Sequence, residues 1–348
     1  MTKPVLPHPL GYRMPAEWAP HEATWLAWPH NRGTWPGPCL ARVRESYLAM
    51  IKELTRSEKI RLLVRDADDL SSFRRAARRS KIPLARVFAQ IVPTGDAWIR
   101  DYGPLFLRHR NGEKALTKWV FNAWGKKYSG HLGDNDVFGP GSPLGRVRHA
   151  FYPPMVFEGG SIDVNGLGDC LVTEQCLLNP NRNPGFSKKR IERMLRDYLG
   201  VRRVLWLAGG IAGDDTDGHV DDVARFTDPR TIVAAWEESK EEENYEVLQK
   251  NWRRLLRART ARGMSLRLVK LPMPKAVRIK GKRLPASYAN FYIANRSVLL
   301  PVFDDPADAQ AAAILKPLFP GRRIVPISAR SLVRGLGAIH CVTQQEPQ

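Results

Sequence analysis

No apolar run in the 348 residues approaches the roughly 18 that a membrane-spanning helix needs. The opening stretch MTKPVLPHPLGYRMP also lacks the continuous apolar segment of a secretion signal. Membrane insertion and export are therefore set aside, and a soluble cytoplasmic protein is expected. Cysteine is scarce: Cys39, Cys170, Cys176 and Cys341 stand at no metal-knuckle spacing and form no pattern of a small disulfide-stapled domain. Reduced thiols and no bound metal are expected. Neither GxGxxG nor the GxxxxGK phosphate loop follows a strand-like run, which removes the usual signs of a dinucleotide or triphosphate site.

Acidic residues are also short, 35 Asp and Glu against 55 Lys and Arg, for a formal charge of +20. Such an excess raises the possibility of nucleic-acid binding. The basic residues, however, are scattered over 74–81, 187–198, 251–263 and 278–283, where they read as solvated faces of helices. Residues 204–224 contain no Lys or Arg and carry Asp214, Asp215, Asp217, Asp221 and Asp222. An acidic pocket within a basic protein points to a cationic ligand.

Short apolar strands alternate with amphipathic helices, which places the chain in the mixed α/β class. Helices are expected over 40–56, 69–79, 187–199, 241–262 and 306–318. Strands are expected over 59–65, 105–108, 116–121, 170–173, 204–207, 231–235, 298–301 and 323–326. One pattern recurs: a polar motif, a strand, a turn of Gly, Asn or Asp, and another strand. The turns are Arg110-Asn111-Gly112, Asn165-Gly166-Leu167-Gly168, Asp228-Pro229-Arg230 and Asn295-Arg296. Residues 335–345 supply a truncated last copy. Irregular repeats of this kind favour a propeller-like α/β ring, with a doubly wound sheet as the alternative. No domain boundary is visible, so residues 1–348 read as one domain, and the stretch 139–143 as a loop over the site.

Four distant segments each end an apolar run at a reactive side chain: GDAWIRDYGP at 95–104, FEGGSID at 157–163, GDDTDGHVDD at 213–222 and GLGAIHCVTQQ at 335–345. They offer Asp96, Glu158, His219, Asp221 and Cys341. A thiol, an imidazole and several carboxylates suit attack by Cys on a cationic carbon, with the carboxylates gripping the cation and His moving protons. Each residue alone has a plainer reading. Cys341 fits a buried strand, Glu158 a turn cap, and Asp96 and Asp101 an ion pair with Arg100. His219 shares a face with Asp221 if the segment is extended, whereas His340 points away from Cys341 on a strand. The set together is more specific than its members.

With MPAEWAPHEATWLAWP at 14–29 and SYANFYIAN at 287–295, these motifs resemble the agmatine deiminases of the guanidino-group-modifying pentein superfamily, which also holds bacterial-type peptidylarginine deiminases. The resemblance runs nearly end to end. It implies a five-bladed α/β propeller with a central active site, Cys341 as nucleophile, His219 as general acid/base, and Asp96 and Asp221 as guanidinium-binding carboxylates. Glu158 completes the polar site, and no cofactor is needed.

Two motifs depart from the family pattern. GLGAIHC stands in place of GGGNIHC, and GDDTDGHVDD in place of GDETDGHVDN. Trp98 and Asp215 are the candidates for holding the substrate's tail. Arg100 and Arg225 are the candidates for a carboxylate clamp, were the substrate an amino acid. Agmatine is the expected substrate. Peptidyl-arginine, another guanidine, or nucleic acid bound on a retired enzyme fold remain alternatives, and a homo-oligomer stays open.

Overall fold

The expected hairpins form in the computed structural model, which describes residues 5–145 and 147–348. Leu105–His109 pairs antiparallel with Lys114–Thr117, Asp163–Val164 with Asp169–Thr173, Ala224–Phe226 with Thr231–Trp236, and Tyr292–Ile293 with Ser297–Val302. Side chains close the turns. Asn165 Oδ1 accepts from the backbone N–H groups of Leu167 (2.9 Å) and Asp169 (3.0 Å), and Asp228 Oδ1 from those of Arg230 (2.7 Å) and Thr231 (2.8 Å).

The second strand of each hairpin then pairs in parallel with a third: His149–Phe151, Arg203–Leu207, Arg267–Pro272 and Arg323–Ser328 respectively. A parallel neighbour requires a crossover. Three crossovers carry the helices Lys188–Leu199, Tyr245–Arg257 and Ala307–Leu315. The helix Lys188–Leu199 shows why they form. Ser187 accepts from the backbone N–H of Arg190, Ile191, Leu195, Tyr198 and Leu199 lie on the buried face, and Gly200 ends it at φ 73°. The crossover after Lys114–Thr117 instead holds the short Ala123–Lys126 and the 3-10 segment Ser129–Asp136.

The truncated last copy is completed from the other end of the chain. Gln344–Pro347 pairs antiparallel with His21–Ala27, which runs parallel to Lys59–Val64 across the helix Cys39–Leu54. Val87–Ile91 extends that sheet beyond the helix Ala67–Arg79. The result is a mixed α/β fold of five sheets with the same antiparallel-then-parallel pairing, plus the small pair Arg278–Ile279 and Lys282–Arg283. No sheet closes on itself among the described residues.

Most expected elements agree to within a few residues. The helix expected over 241–262 is shorter, Tyr245–Arg257, because Asn244 is tethered by accepting the Ala212 N–H at 2.7 Å. The strand expected over 116–121 is Lys114–Thr117, after which only a Val120–Val156 bridge continues. Each sheet begins just after a short turn carrying a polar side chain: Asp101 in Ile99–Tyr102, Glu158 before Gly159–Ser161, His219 and Asp221 around Val220–Asp222, Asn290 before Tyr292, and Cys341 in His340–Val342. The first, second, third and last of these turns pack together in a chain.

Candidate active site

Two of the turns, through Asp101 and Cys341, reach a cavity of about 430 Å³ whose wall also includes Trp98, Trp124, Asp215 and Leu336; Glu158, His219 and Asp221 do not line it. Residues 139–143, expected to cover the site, do not line it. Cys341 Sγ lies 3.2 Å from Asn290 Nδ2, which donates to it, and 3.8 Å from Asp221 Oδ2. Burial, followed by the charges of Asp221, Asp222 and Asp101, pushes the thiol's pKa well above its ordinary value.

Asp221 is held by His340, whose Nδ1 is hydrogen-bonded to Oδ2 at 2.7 Å while Nε2 is hydrogen-bonded to Glu17 Oε2 at 2.8 Å. Burial pulls the Asp221 pKa up, but the His340 hydrogen bond and charge outweigh it and leave the pKa below the usual value. Asp221 Oδ1 has no hydrogen-bond partner. Glu158 behaves alike. Oε1 accepts from Arg182 Nε at 2.7 Å, Oε2 has no partner, and the Arg182 charge overcomes burial to hold the carboxyl low.

His219 sits between carboxylates, Nδ1 3.7 Å from Asp101 Oδ1 and Nε2 3.9 Å from Glu158 Oε2. Neither ring nitrogen is hydrogen-bonded. Burial would lower its pKa, yet Asp101, with Cys176 and Glu158, raises it well above the ordinary value. These orphaned atoms all belong to side chains exposed by 1% or less. Buried polar atoms left unpaired are costly, so a ligand that satisfies several at once gains strongly. Gly160 makes the convergence possible, since a Cβ there would lie 2.5 Å from His219 Nδ1, 2.9 Å from Asp101 Oδ1 and 3.1 Å from Asp221 Oδ2.

Asp96 is the sequence-derived site residue that the structure does not bring into this group. Its Oδ2 accepts from the hydroxyl of Thr34, which lines the cavity, and its Oδ1 from the Ala97 N–H at 2.7 Å. Asp101, five residues on, is the carboxylate that lies 3.7 Å from His219 Nδ1. Asp101 Oδ2 accepts from Trp124 Nε1 at 2.8 Å and Oδ1 from the Gly160 N–H at 3.0 Å, and burial first, then Asp221 and Glu158 charge, lift its pKa to about 6.

Sequence reasoning also missed Asn290, Arg182 and His340. His340 was judged by strand alternation, but residues 340–342 form a 3-10 turn, so His340 and Cys341 both approach Asp221. Asn290 and Asp101 could have been found by the shared signal that each repeat places a polar residue just before its first hairpin strand. Arg100 and Arg225 are unsuited to clamp a carboxylate. Both are buried: Arg100 donates to Gln345 Oε1 (2.8 Å) and the His340 carbonyl (3.2 Å), and Arg225 pairs with Asp163 (2.8 Å) and Glu17 (2.9 Å).

Beside Cys341, Trp98 packs on Trp35 at 5.4 Å between ring centres. Gly335 and Gly337 let the loop lie flat on it, because a Cβ at either would fall within 2.8 Å of the Trp98 ring. Asp215, at the mouth, accepts from the Tyr128 hydroxyl and lies 3.6 Å from Lys127 Nζ. The buried carboxylates and the thiol form an acidic cluster, and Asp215 lines the same cavity as Cys341.

The profile of the Porphyromonas-type peptidyl-arginine deiminase family matches residues 13–347. Agmatine deiminase of Pseudomonas aeruginosa is 36% identical over 100% of this chain and 99% of its own length. Agmatine deiminase of Enterococcus faecalis superposes with a TM-score of 0.90 at 33% identity, covering 100% of this chain and 99% of that one. A Cys-to-Ser variant of Campylobacter jejuni agmatine deiminase with substrate bound gives a TM-score of 0.84 at 31% identity, covering 97% and 96%. Fold and site thus define a guanidine-modifying α/β enzyme fold. The chain belongs to the Porphyromonas-type peptidyl-arginine deiminase family, and its full-length likeness is to that family's agmatine deiminases.

Proposed function

We propose that the protein hydrolyses the guanidinium group of agmatine to N-carbamoylputrescine and ammonia, a step toward putrescine. The observation that carries this reading is the set of orphaned buried atoms, Glu158 Oε2, Asp221 Oδ1 and both His219 nitrogens, with the other Asp221 oxygen 3.8 Å from the Cys341 thiol. A guanidinium is planar, cationic and rich in N–H donors, and paired carboxylate oxygens match its fork. In this reading Asp221 and Glu158 bind it, and Asp101 takes the role that the family resemblance had put on Asp96. The whole chain, 1–348, acts as one catalytic domain, its five sheets read as five blades around the site. Its free thiols suit a reducing, cytoplasmic setting.

Entry of the substrate's positive charge offsets the carboxylates that keep Cys341 protonated, so the S–H proton leaves to solvent and the thiolate forms as the cation binds. The thiolate attacks the guanidinium carbon, forming a C–S bond. His219, charged because of its carboxylate neighbours, donates a proton to one nitrogen, and the C–N bond breaks to release ammonia. The product of this half-reaction is an S-alkylthiouronium cation on Cys341. His219, now neutral, takes a proton from water as the oxygen attacks the same carbon. Cleavage of C–S then restores the thiol and frees the ureido product. Asn290 Nδ2, 3.2 Å from Sγ, stabilises the anionic sulfur in both steps. The tail amine lies along Trp98 toward Asp215.

Ammonia release over agmatine, arginine, a blocked arginyl peptide and simple alkylguanidines, with Cys341→Ala as control, tests this reading. Cys341-dependent turnover favouring agmatine is expected. A preference for the peptide would move the substrate, and silence across the panel would end the deiminase reading.

A further inference from the structure

Of the three buried thiols that the mechanism leaves unused, Cys39, Cys170 and Cys176, one adjoins the catalytic groups. Cys176 lies in the short helix Glu174–Leu177, whose first turn is fixed by the Thr173 hydroxyl accepting from the Cys176 N–H at 3.2 Å. Its Sγ, one nitrogen of His219 and one oxygen of Glu158 lie within 4.8 Å of one another, and all three residues are buried. Glu158 Oε1 is occupied by Arg182, but Oε2 and both imidazole nitrogens have no partner. A guanidinium accounts for the carboxylate and the imidazole. It makes no contact with the third member of the cluster, the Cys176 thiol, whose one effect in the mechanism is to help raise the His219 pKa.

We infer that Cys176, His219 and Glu158 form a binding site for a borderline or soft divalent cation such as Zn2+, which inhibits the enzyme by occupying groups the substrate needs. Thiolate, imidazole and carboxylate are together the donor set of zinc rather than of magnesium or calcium. Small side-chain movements bring ligand atoms at this separation to the roughly 2.0–2.3 Å bonds of zinc. On binding, Cys176 gives its S–H proton to solvent and His219 presents a neutral nitrogen. Metal and guanidinium exclude one another, because both draw on Glu158 Oε2 and both require the same buried acidic space. The metal here is an inhibitor, and the deimination chemistry makes no use of it.

The test uses Co2+ as a spectroscopic probe in full-length Cys341→Ala protein, so that the catalytic thiol cannot contribute. A thiolate-to-cobalt absorption band saturating at one equivalent is expected. Adding Cys176→Ser should abolish the band, and adding Glu158→Gln should weaken binding by about tenfold or more. Circular dichroism of each variant checks that it is folded. No band in Cys341→Ala, or a band that survives Cys176→Ser, overturns the site. In enzyme with Cys341 intact, Cys176→Ser should need about tenfold more Zn2+ for half-inhibition, and equal sensitivity would place the metal on Cys341 instead. The cobalt titration is read without turnover, so its failure is separate from failure of the deiminase reading.

Discussion

The floor and the mouth of the cavity are built on opposite principles. At the floor, Cys341 lines the cavity while Glu158, His219 and Asp221 are buried behind its wall; all four are at most 7% exposed, and each carboxylate is held through one oxygen by a buried cation or imidazole while the other stays free. At the mouth, Asp215 and Lys127 side chains are 36% and 29% exposed and already face each other. Charges in a dry site interact strongly, whereas exposed pairs are screened and contribute little. Chemistry is therefore fixed at the floor, and preference for the substrate's tail is a mild, adjustable property of the mouth.

The largest expected effect separates two carboxylates of one motif. Asp101→Asn should lose most turnover, about 2–5 kcal/mol in transition-state binding, because it leaves a buried cation short of its partner. Asp96→Asn should remain far more active, since Asp96 serves Thr34 and its own backbone; its cost is of the order of 1 kcal/mol of stability. Steady-state kinetics and thermal melts of the two variants decide it. The reverse ranking would return the guanidinium role to Asp96.

Next in size is an acid limb set by the floor. The Asp101 carboxyl, raised to about 6 when folded, contributes stability that is fully present below the ordinary carboxylate range and lost as pH rises through about 6. Activity runs the other way, because the ionised form holds the guanidinium. kcat/KM should fall by about tenfold per pH unit below that value. Trp124→Phe removes the N–H that favours the carboxylate, so its acid limb should move to higher pH. An unmoved limb would belong to a different group.

Much of this floor was legible in the sequence. Glu158, His219, Asp221 and Cys341 were all named from motifs that end apolar runs, and they do meet. The hairpins and helices were legible for the same reason: turn chemistry and apolar periodicity are local. What escaped depends on distant partners. Asp101 looked like the partner of Arg100, yet Arg100 turns toward Glu17, Gln345 and the His340 carbonyl, up to 245 residues away. Arg182 reaches Glu158 and Asp217 from a loop whose sequence announces no role. The completion of the last sheet by His21–Ala27 depends on a pairing across the whole chain, which no local pattern contains.

At the mouth the expected effects shrink. Asp215→Asn should raise KM for agmatine while leaving kcat almost unchanged, by an amount within about 1 kcal/mol, since the carboxylate is partly solvated and shared with Lys127. Simple alkylguanidines, which have no tail amine, should show no change. A fall in kcat for both substrate types would instead tie Asp215 to the floor through its loop.

The smallest effect concerns Leu336, which stands where the family pattern has glycine. It lines the cavity at φ 72° and ψ 24°, a left-handed conformation that costs a side-chain-bearing residue about 1–2 kcal/mol. Leu336→Gly removes that strain but adds about 0.5–1 kcal/mol of backbone entropy to the unfolded chain and gives up the contacts of a half-buried side chain. These contributions nearly cancel, so the melting temperature should shift by only a few degrees, unlike a Leu deletion from the core. Leu336→Val keeps the conformation and adds a branched Cβ that suits it poorly, and so should be clearly less stable than Leu336→Gly. A Gly variant that melts far below the parent would show that the leucine's packing, rather than its strained backbone, dominates this rim. In that event the mouth would be held by apolar contact as firmly as the floor is held by charge.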